Sequence, residues 1–418
     1  MVMRYILPTI WVLILAVTAI ADGGQCLSCH RNWEDDDGPA HKFPRDIHAQ
    51  KGLDCFDCHG GDPAADDMDD VRKASDYRGV PDHLIIPDFC ARCHADAAYM
   101  HEHNPSLPVD QLAKYKTSRH GQRLYGQKDL KVATCVSCHW THEIGDARLP
   151  HSSTYPQNIP ATCGRCHADP VYMAEYSIPT SQIEEFRKSV HGLALLEKND
   201  LGAPACNDCH GNHSAMPPGV TSLAAVCGLC HAIEAELFEQ SPHMAAFREN
   251  DLPMCETCHS NHDIAKPTEA MIGSGEASVC ITCHSPGDGT NGAATADSIL
   301  VVINGLTGEL TRARGILGEA IAKGMMTTDE EFLMKEAGQI LIQTRALVHT
   351  VDAGKVAPKA AEGVNKAGLV ADKAADLIDE YYFRRQGLAV ASLIITFLAV
   401  MLYRKIRQIE KNRKSAEQ

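Results

Sequence analysis

Eighteen cysteines and 22 histidines stand out in this chain of 418 residues. Every cysteine falls into one of nine copies of Cys-x-x-Cys-His, with none left over. The cysteine pairs are Cys26 and Cys29, Cys55 and Cys58, Cys90 and Cys93, Cys135 and Cys138, Cys163 and Cys166, Cys206 and Cys209, Cys227 and Cys230, Cys255 and Cys258, and Cys280 and Cys283. The histidines that close them are His30, His59, His94, His139, His167, His210, His231, His259 and His284. Two thiols three residues apart on one turn reach the two vinyl groups of a porphyrin edge, and the next His then faces the iron. That is the attachment signature of c-type haem, and the axial ligands then set how the iron behaves. Zinc ribbons also use Cys-x-x-Cys, but they need paired knuckles and do not demand a His after every second Cys. A secreted disulfide scaffold has no use for the His. The spacing predicts nine covalent haems c.

A lone His is usually a surface or satisfied core residue, so the thirteen histidines outside the motifs need a pattern before they count as ligands. Seven of them have one. His48, His120, His191 and His243 precede a motif, the last three in a Ser-x-His setting, and His142, His213 and His262 each follow a motif His by three residues. A His three residues on lies on nearly the same helix face, where it can ligate a neighbouring iron. His83 and His151 complete a set of nine distal ligands, with His41, His101 and His103 in reserve. Met100 and Met173 are candidate thioether ligands, although core packing is the usual role of Met.

These residues repeat as a two-motif module. Cys90 to Asp96 is echoed by Cys163 to Asp169 and by Cys227 to Ala232, and His120 to Cys135 matches His191 to Cys206 at fifteen residues. Cys26 to His59 reads as a degenerate first copy with Gly60-Gly61 where a third His is expected, and Cys280 to His284 closes the array alone. Pro, Gly and Asp are dense throughout, which predicts short helices, extensive loops and almost no sheet. Aromatics make up only 6% of the chain, so the porphyrins themselves are expected to fill the core.

Both ends address a membrane. Arg4, the apolar stretch Tyr5 to Ile20 and Ala19-Ile20-Ala21 before Asp22 read as a signal peptide over residues 1–21, with an uncleaved anchor as the alternative. Leu388 to Tyr403 is apolar but for Ser392 and Thr396, and six cations follow it from Arg404 to Lys414, which puts the C-terminus on the cytoplasmic side. The expected layout is a haem-bearing domain over 22–290, a helical bundle or stalk over 291–385, a transmembrane helix over 386–404 and a basic tail over 405–418. Within the stalk, Asn291 to Ala296 reads as a linker, Ser298 to Lys323 as a first helix, Thr328 to Leu347 as a second opened by a capping box, and Lys359 onward as a third.

Charge narrows the partners. Residues 1–290 carry a balance of −17 and residues 291–418 one of +2. A surface that acidic repels phosphate backbones, which argues against nucleic acid, and attracts cationic patches on proteins. Acidic loops such as Glu34 to Asp37 and Asp66 to Asp70 read as solvated surface, with a calcium site as the other possibility.

On these motifs, residues 26–290 resemble the multihaem c-type cytochromes with doubled Cys-x-x-Cys-His pairs, a group that includes electron carriers and octahaem nitrite and hydroxylamine enzymes. The resemblance implies a periplasmic, low-potential, mostly bis-His electron-transfer protein of anaerobic respiration, working with redox partner proteins such as a quinol-oxidising membrane subunit. The alternative it leaves is a reductase or oxidase of a small nitrogen or sulfur compound with one open iron. No motif here carries Lys in place of His, unlike the nitrite reductases, and the quinol-oxidising tetrahaem cytochromes carry an N-terminal anchor and fewer haems.

Overall fold

The computed structural model describes residues 24–33, 35, 37–219 and 222–416. Most of them are helical, in many short helices and three long ones, and no strand occurs among them. The predicted signal peptide lies outside the described residues. The described residues divide into two compact units, one running to residue 218 and including 261–265, the other running from 219 to 260 and onward from 266. The last three motifs therefore share a unit with the tail helices.

Local hydrogen bonds explain why the motif helices are so short. In the second motif of each of the first three modules, the residue before the second Cys turns back and accepts the N–H that precedes the helix. Asp57 accepts from Asp54 at 2.6 Å, Ser137 from Thr134 at 3.0 Å and Asp208 from Ala205 at 2.7 Å. At the other end, the residue after the motif His has positive φ: 69° at Gly60, 66° at Trp140, 80° at Gly211 and 64° at Ser260. Such a residue ends a helix within one step, so Cys55–His59, Cys135–His139 and Cys206–His210 are one turn each. The Ala-Asp of the repeat is a cap as well: Asp96 accepts from Ala98 and Tyr99, and Asp169 from Val171 and Tyr172. Asp67, in the acidic run, caps Met68–Lys73 in the same way, and no cluster of potential metal ligands forms there or elsewhere among the described residues.

Apolar packing differs sharply along the chain. In the haem-motif region the buried clusters are small, such as Tyr115, Leu124 and Val132, or Met244, Phe247 and Met254. Met100 and Met173 are buried side chains there. The tail has a continuous core from Leu306, Leu310, Ala313 and Leu317 through Met334 and Ala337 to Ala360, Ala367, Val370 and Ala374. Its helices are Gly292–Ala322, Thr328–Leu347 and Ala353–Ala416. Small residues on the third helix let the backbones approach: a Cβ at Gly363 would stand 2.7 Å from Leu306 Cδ1.

Three boundaries differ from expectation. The supposed linker after Asn291 is already helix from Gly292. Thr327, not Thr328, flanks the second helix, and its hydroxyl donates to Glu331 at 2.6 Å, so the capping box at Thr328 does not form. The third helix starts at Ala353 and carries Pro358 in its second turn. Near a helix start Pro removes few intrahelical bonds, which lets the helix pass through it. Beyond the bundle, Leu388 to Tyr403 is exposed throughout. This helix is long and apolar enough to cross a membrane, with a mean hydropathy of 2.0 over its most apolar stretch.

Candidate functional site

The first two Ser-x-His sequences place their histidines at the start of a helix by the same device, whereas Ser241 caps nothing and donates its hydroxyl to Phe238 O at 2.7 Å. Ser118 Oγ accepts from Gly121 N–H at 2.9 Å and Ser189 Oγ from Gly192 N–H at 3.0 Å. In the first module Asp46 replaces Ser. It is 1% exposed and accepts from His48 N–H and Ile144 N–H, and His48 Nδ1 donates to it at 2.8 Å. Burial pushes the Asp46 carboxyl up, but these bonds, led by the His48 ring, outweigh it and hold the group below the ordinary carboxylate value.

The decisive geometry is between histidine rings. Ring centres lie 5.9 Å apart for His48 and His94, 6.1 Å for His59 and His142, and 6.1 Å for His120 and His167. The same holds at 6.1 Å for His139 and His213, 5.9 Å for His210 and His262, 5.9 Å for His243 and His284, and 6.1 Å for His259 and His349. Every pair joins one motif histidine to one histidine outside the motifs. Ordinary aromatic pairs in this chain spread from 4.3 to 6.3 Å, so a cluster 0.2 Å wide is not generic packing. A metal–imidazole bond is about 2.0 Å and the ring centre lies about 1 Å behind the nitrogen, so two imidazoles on one ion stand ~6 Å apart.

Protonation agrees with a ligand role. His120 and His139 are both pushed down to about 4, first by burial and then by the facing imidazole. Burial likewise lowers His94, His167, His213, His243 and His259. A buried neutral imidazole is the form that binds a metal. The far nitrogen is held as well. His59 Nδ1 donates to Gly79 O at 2.8 Å, His349 Nδ1 to Ala346 O at 2.9 Å and His210 Nδ1 to Met216 O at 3.3 Å, which leaves Nε2 as the acceptor.

No disulfide joins these cysteines, and within each unit the motifs adjoin in chain order. In the first unit Cys55 lies close to Cys26, Cys58 to Cys93, Cys90 to Cys135, Cys138 to Cys163, and Cys163 to Cys206. In the second, Cys227 adjoins Cys255, and Cys258 adjoins Cys280 and Cys283. Small apolar clusters, facing imidazoles and paired thiols outside any disulfide are what covalent haem requires, and the donor set fits it.

His83 donates its Nε2 to Val132 O at 2.9 Å, and the His151 ring lies against Gly145, where a Cβ would stand 3.1 Å from it. His101 and His103 are exposed. His191 occupies the Ser189-capped turn that matches His120. His30 lies in the helix Gly24–Trp33, and His231 flanks the start of Ala232–Glu239. His41 is the unexpected one: its Nε2 is buried without a hydrogen-bond partner, on a short helix packed against the one that carries the first motif.

Residues 47–168 match the Cytochrome c3 family, and residues 226–305 match the Cytochrome c554 and c-prime family. The two matches indicate a multihaem c-type cytochrome. Covalent haem c and electron transfer with redox partners follow at that level. No curated protein matches the chain. His349 lies outside both matched segments and was missed in the sequence because it has no motif beside it. The Ser-x-His-Gly spelling at 118–121 and 189–192 was the available signal for the capped turns.

Proposed function

We propose that this cytochrome binds nine covalent haems, one per motif, and carries electrons along them without binding substrate at iron. The protein would be exported, held on the periplasmic face of the cytoplasmic membrane by its C-terminal helix, and would pass electrons in anaerobic respiration between a quinol-linked membrane partner and periplasmic or outer acceptors. The observation that carries this reading is the set of seven histidine pairs, each a motif His facing a non-motif His across the same gap. Haem supplies the redox centre. In each of the seven pairs the two imidazoles would hold the iron between them, and burial keeps His94, His120, His139, His167, His213, His243 and His259 toward the neutral form that binds a metal.

The pairing also bears on the missing histidine after His59. His142, His213 and His262 each face the second motif of the preceding module. In this sequence the first module has Gly60-Gly61 in place of such a His. The first motif stands apart, since no earlier Ser-x-His precedes it. His41, with its buried unpartnered Nε2, is the residue placed to serve it. That motif is where the enzyme alternative would reside.

Electron paramagnetic resonance of the oxidised protein and carbon monoxide titration of the reduced protein test the proposal. Low-spin haems throughout and no stoichiometric carbon monoxide binding are expected. One carbon monoxide per chain, together with turnover of nitrite or hydroxylamine, would replace the carrier with an enzyme.

A further inference from the structure

The tail bundle holds one histidine, and its position continues a series that runs through the repeat. In that series the His after a motif, in one module, faces the second motif of the module before it: His142 to His59, His213 to His139, His262 to His210. The second motif of the last module, ending at His259, needs a donor from a module that does not exist. His349 faces it at 6.1 Å with the rings inclined at 28°. Its Nδ1 is tied to Ala346 O at 2.9 Å, the arrangement that presents Nε2.

A backbone contact follows the same series. The residue before His48, His120 or His191 donates its N–H to the residue two after the donor His: Ile47 to Ile144 at 2.8 Å, Arg119 to Ala215 at 2.9 Å and Val190 to Ile264 at 2.9 Å. The next pair in register is Pro242, before His243, and Val351, two after His349. These two line one cavity, together with Gln240 and Asp352. Pro has no N–H to give, so the juxtaposition persists while the bond is lost. The bundle also abuts the final motif, since a Cβ at Gly292 would stand 2.3 Å from His284 Nδ1.

We infer that His349 is the sixth ligand of the haem held by Cys255, Cys258 and His259, so that the tail bundle stands in the place of a further module. This rests on haem occupying that motif. It makes the bundle part of the redox array, because the loop His349 occupies joins the second tail helix to the one that continues into the apolar anchor.

The test is His349→Ala in the full chain, compared with His349→Met and with His101→Ala as an exposed control. Intact mass should show an unchanged haem count in all three. His349→Ala should add one high-spin ferric haem and raise carbon monoxide binding by one per chain, and added imidazole should return the low-spin spectrum. His349→Met should stay low-spin and move one centre to higher potential, as Met/His ligation does. A His349→Ala protein with wild-type spin state and carbon monoxide stoichiometry would overturn the inference. A wild-type protein lacking mass for haem at Cys255 and Cys258 would instead sink the haem reading beneath it. If His349→Ala does not accumulate, His349→Met decides alone: an unchanged set of potentials counts against the ligand.

Discussion

Gly121 offers a perturbation whose size can be worked from the structure. It directly follows His120, and its N–H is held by Ser118. A Cβ there would stand 2.0 Å from the carbonyl oxygen of Tyr115. Carbon–oxygen contacts close at about 3.3 Å, so Gly121→Ala must open a gap of ~1.3 Å. Two responses are available, and both are measurable. If the turn moves, His120 moves with it, and a metal–imidazole bond of about 2.0 Å does not survive a stretch of that size. If the turn holds, the overlap costs about 1–3 kcal/mol, which for a unit of this length lowers Tm by roughly 2–12 °C. Gly126 lies in the same helix, with nothing within 4 Å of the position a Cβ would take, so Gly126→Ala should leave Tm level or raise it. Thermal melts read beside carbon monoxide titration separate the two responses. Unchanged Tm and unchanged carbon monoxide binding in Gly121→Ala would refute the claim that this turn is packed hard against Tyr115 to place His120.

Asp46 accepts three hydrogen bonds in a buried site, and the NH₂ of Asn cannot accept. Asp46→Asn should cost about 1–3 kcal/mol for the donor left unpaired and loosen His48, seen as partial carbon monoxide reactivity at one haem with full haem content. Truncation after Arg385 removes the exposed apolar segment but leaves the bundle core and His349 intact. It should yield a soluble protein with all its haems; retention in the membrane fraction would move the anchor to the N-terminus.

The motifs, the module and the identity of most facing histidines were legible because each is a local spelling that recurs. Which motif each histidine serves was not. His142 and His59 lie 83 positions apart in number, and nothing in the intervening residues marks the distance or the direction. A third His was expected at Gly60-Gly61 by analogy with His142, His213 and His262, but those three rings face the second motif of the module before their own. His349 escaped notice for the same reason, since it belongs to a helix-rich segment with no cysteine to announce it. In the tail, hydrophobic spacing placed all three helices. Their starts slipped, at Gly292 and Ala353, because packing onto neighbouring helices overrides small-residue and Pro signals at helix ends.

The backward pairing of rings has an evolutionary consequence. These ring pairs keep one register from module to module, so a whole module can be inserted or lost and the neighbours on either side should still match. Single motifs cannot be exchanged in this way, because each would strand a donor or an acceptor. Relatives of this design should accordingly differ in length by pairs of haems, with the first motif and the tail histidine retained as fixed terminators. Excision of residues 120–190 tests this directly: Arg119 would then precede His191, His213 would inherit the place of His142 opposite His59, and a shorter array, two motifs smaller, should fold with no new high-spin iron.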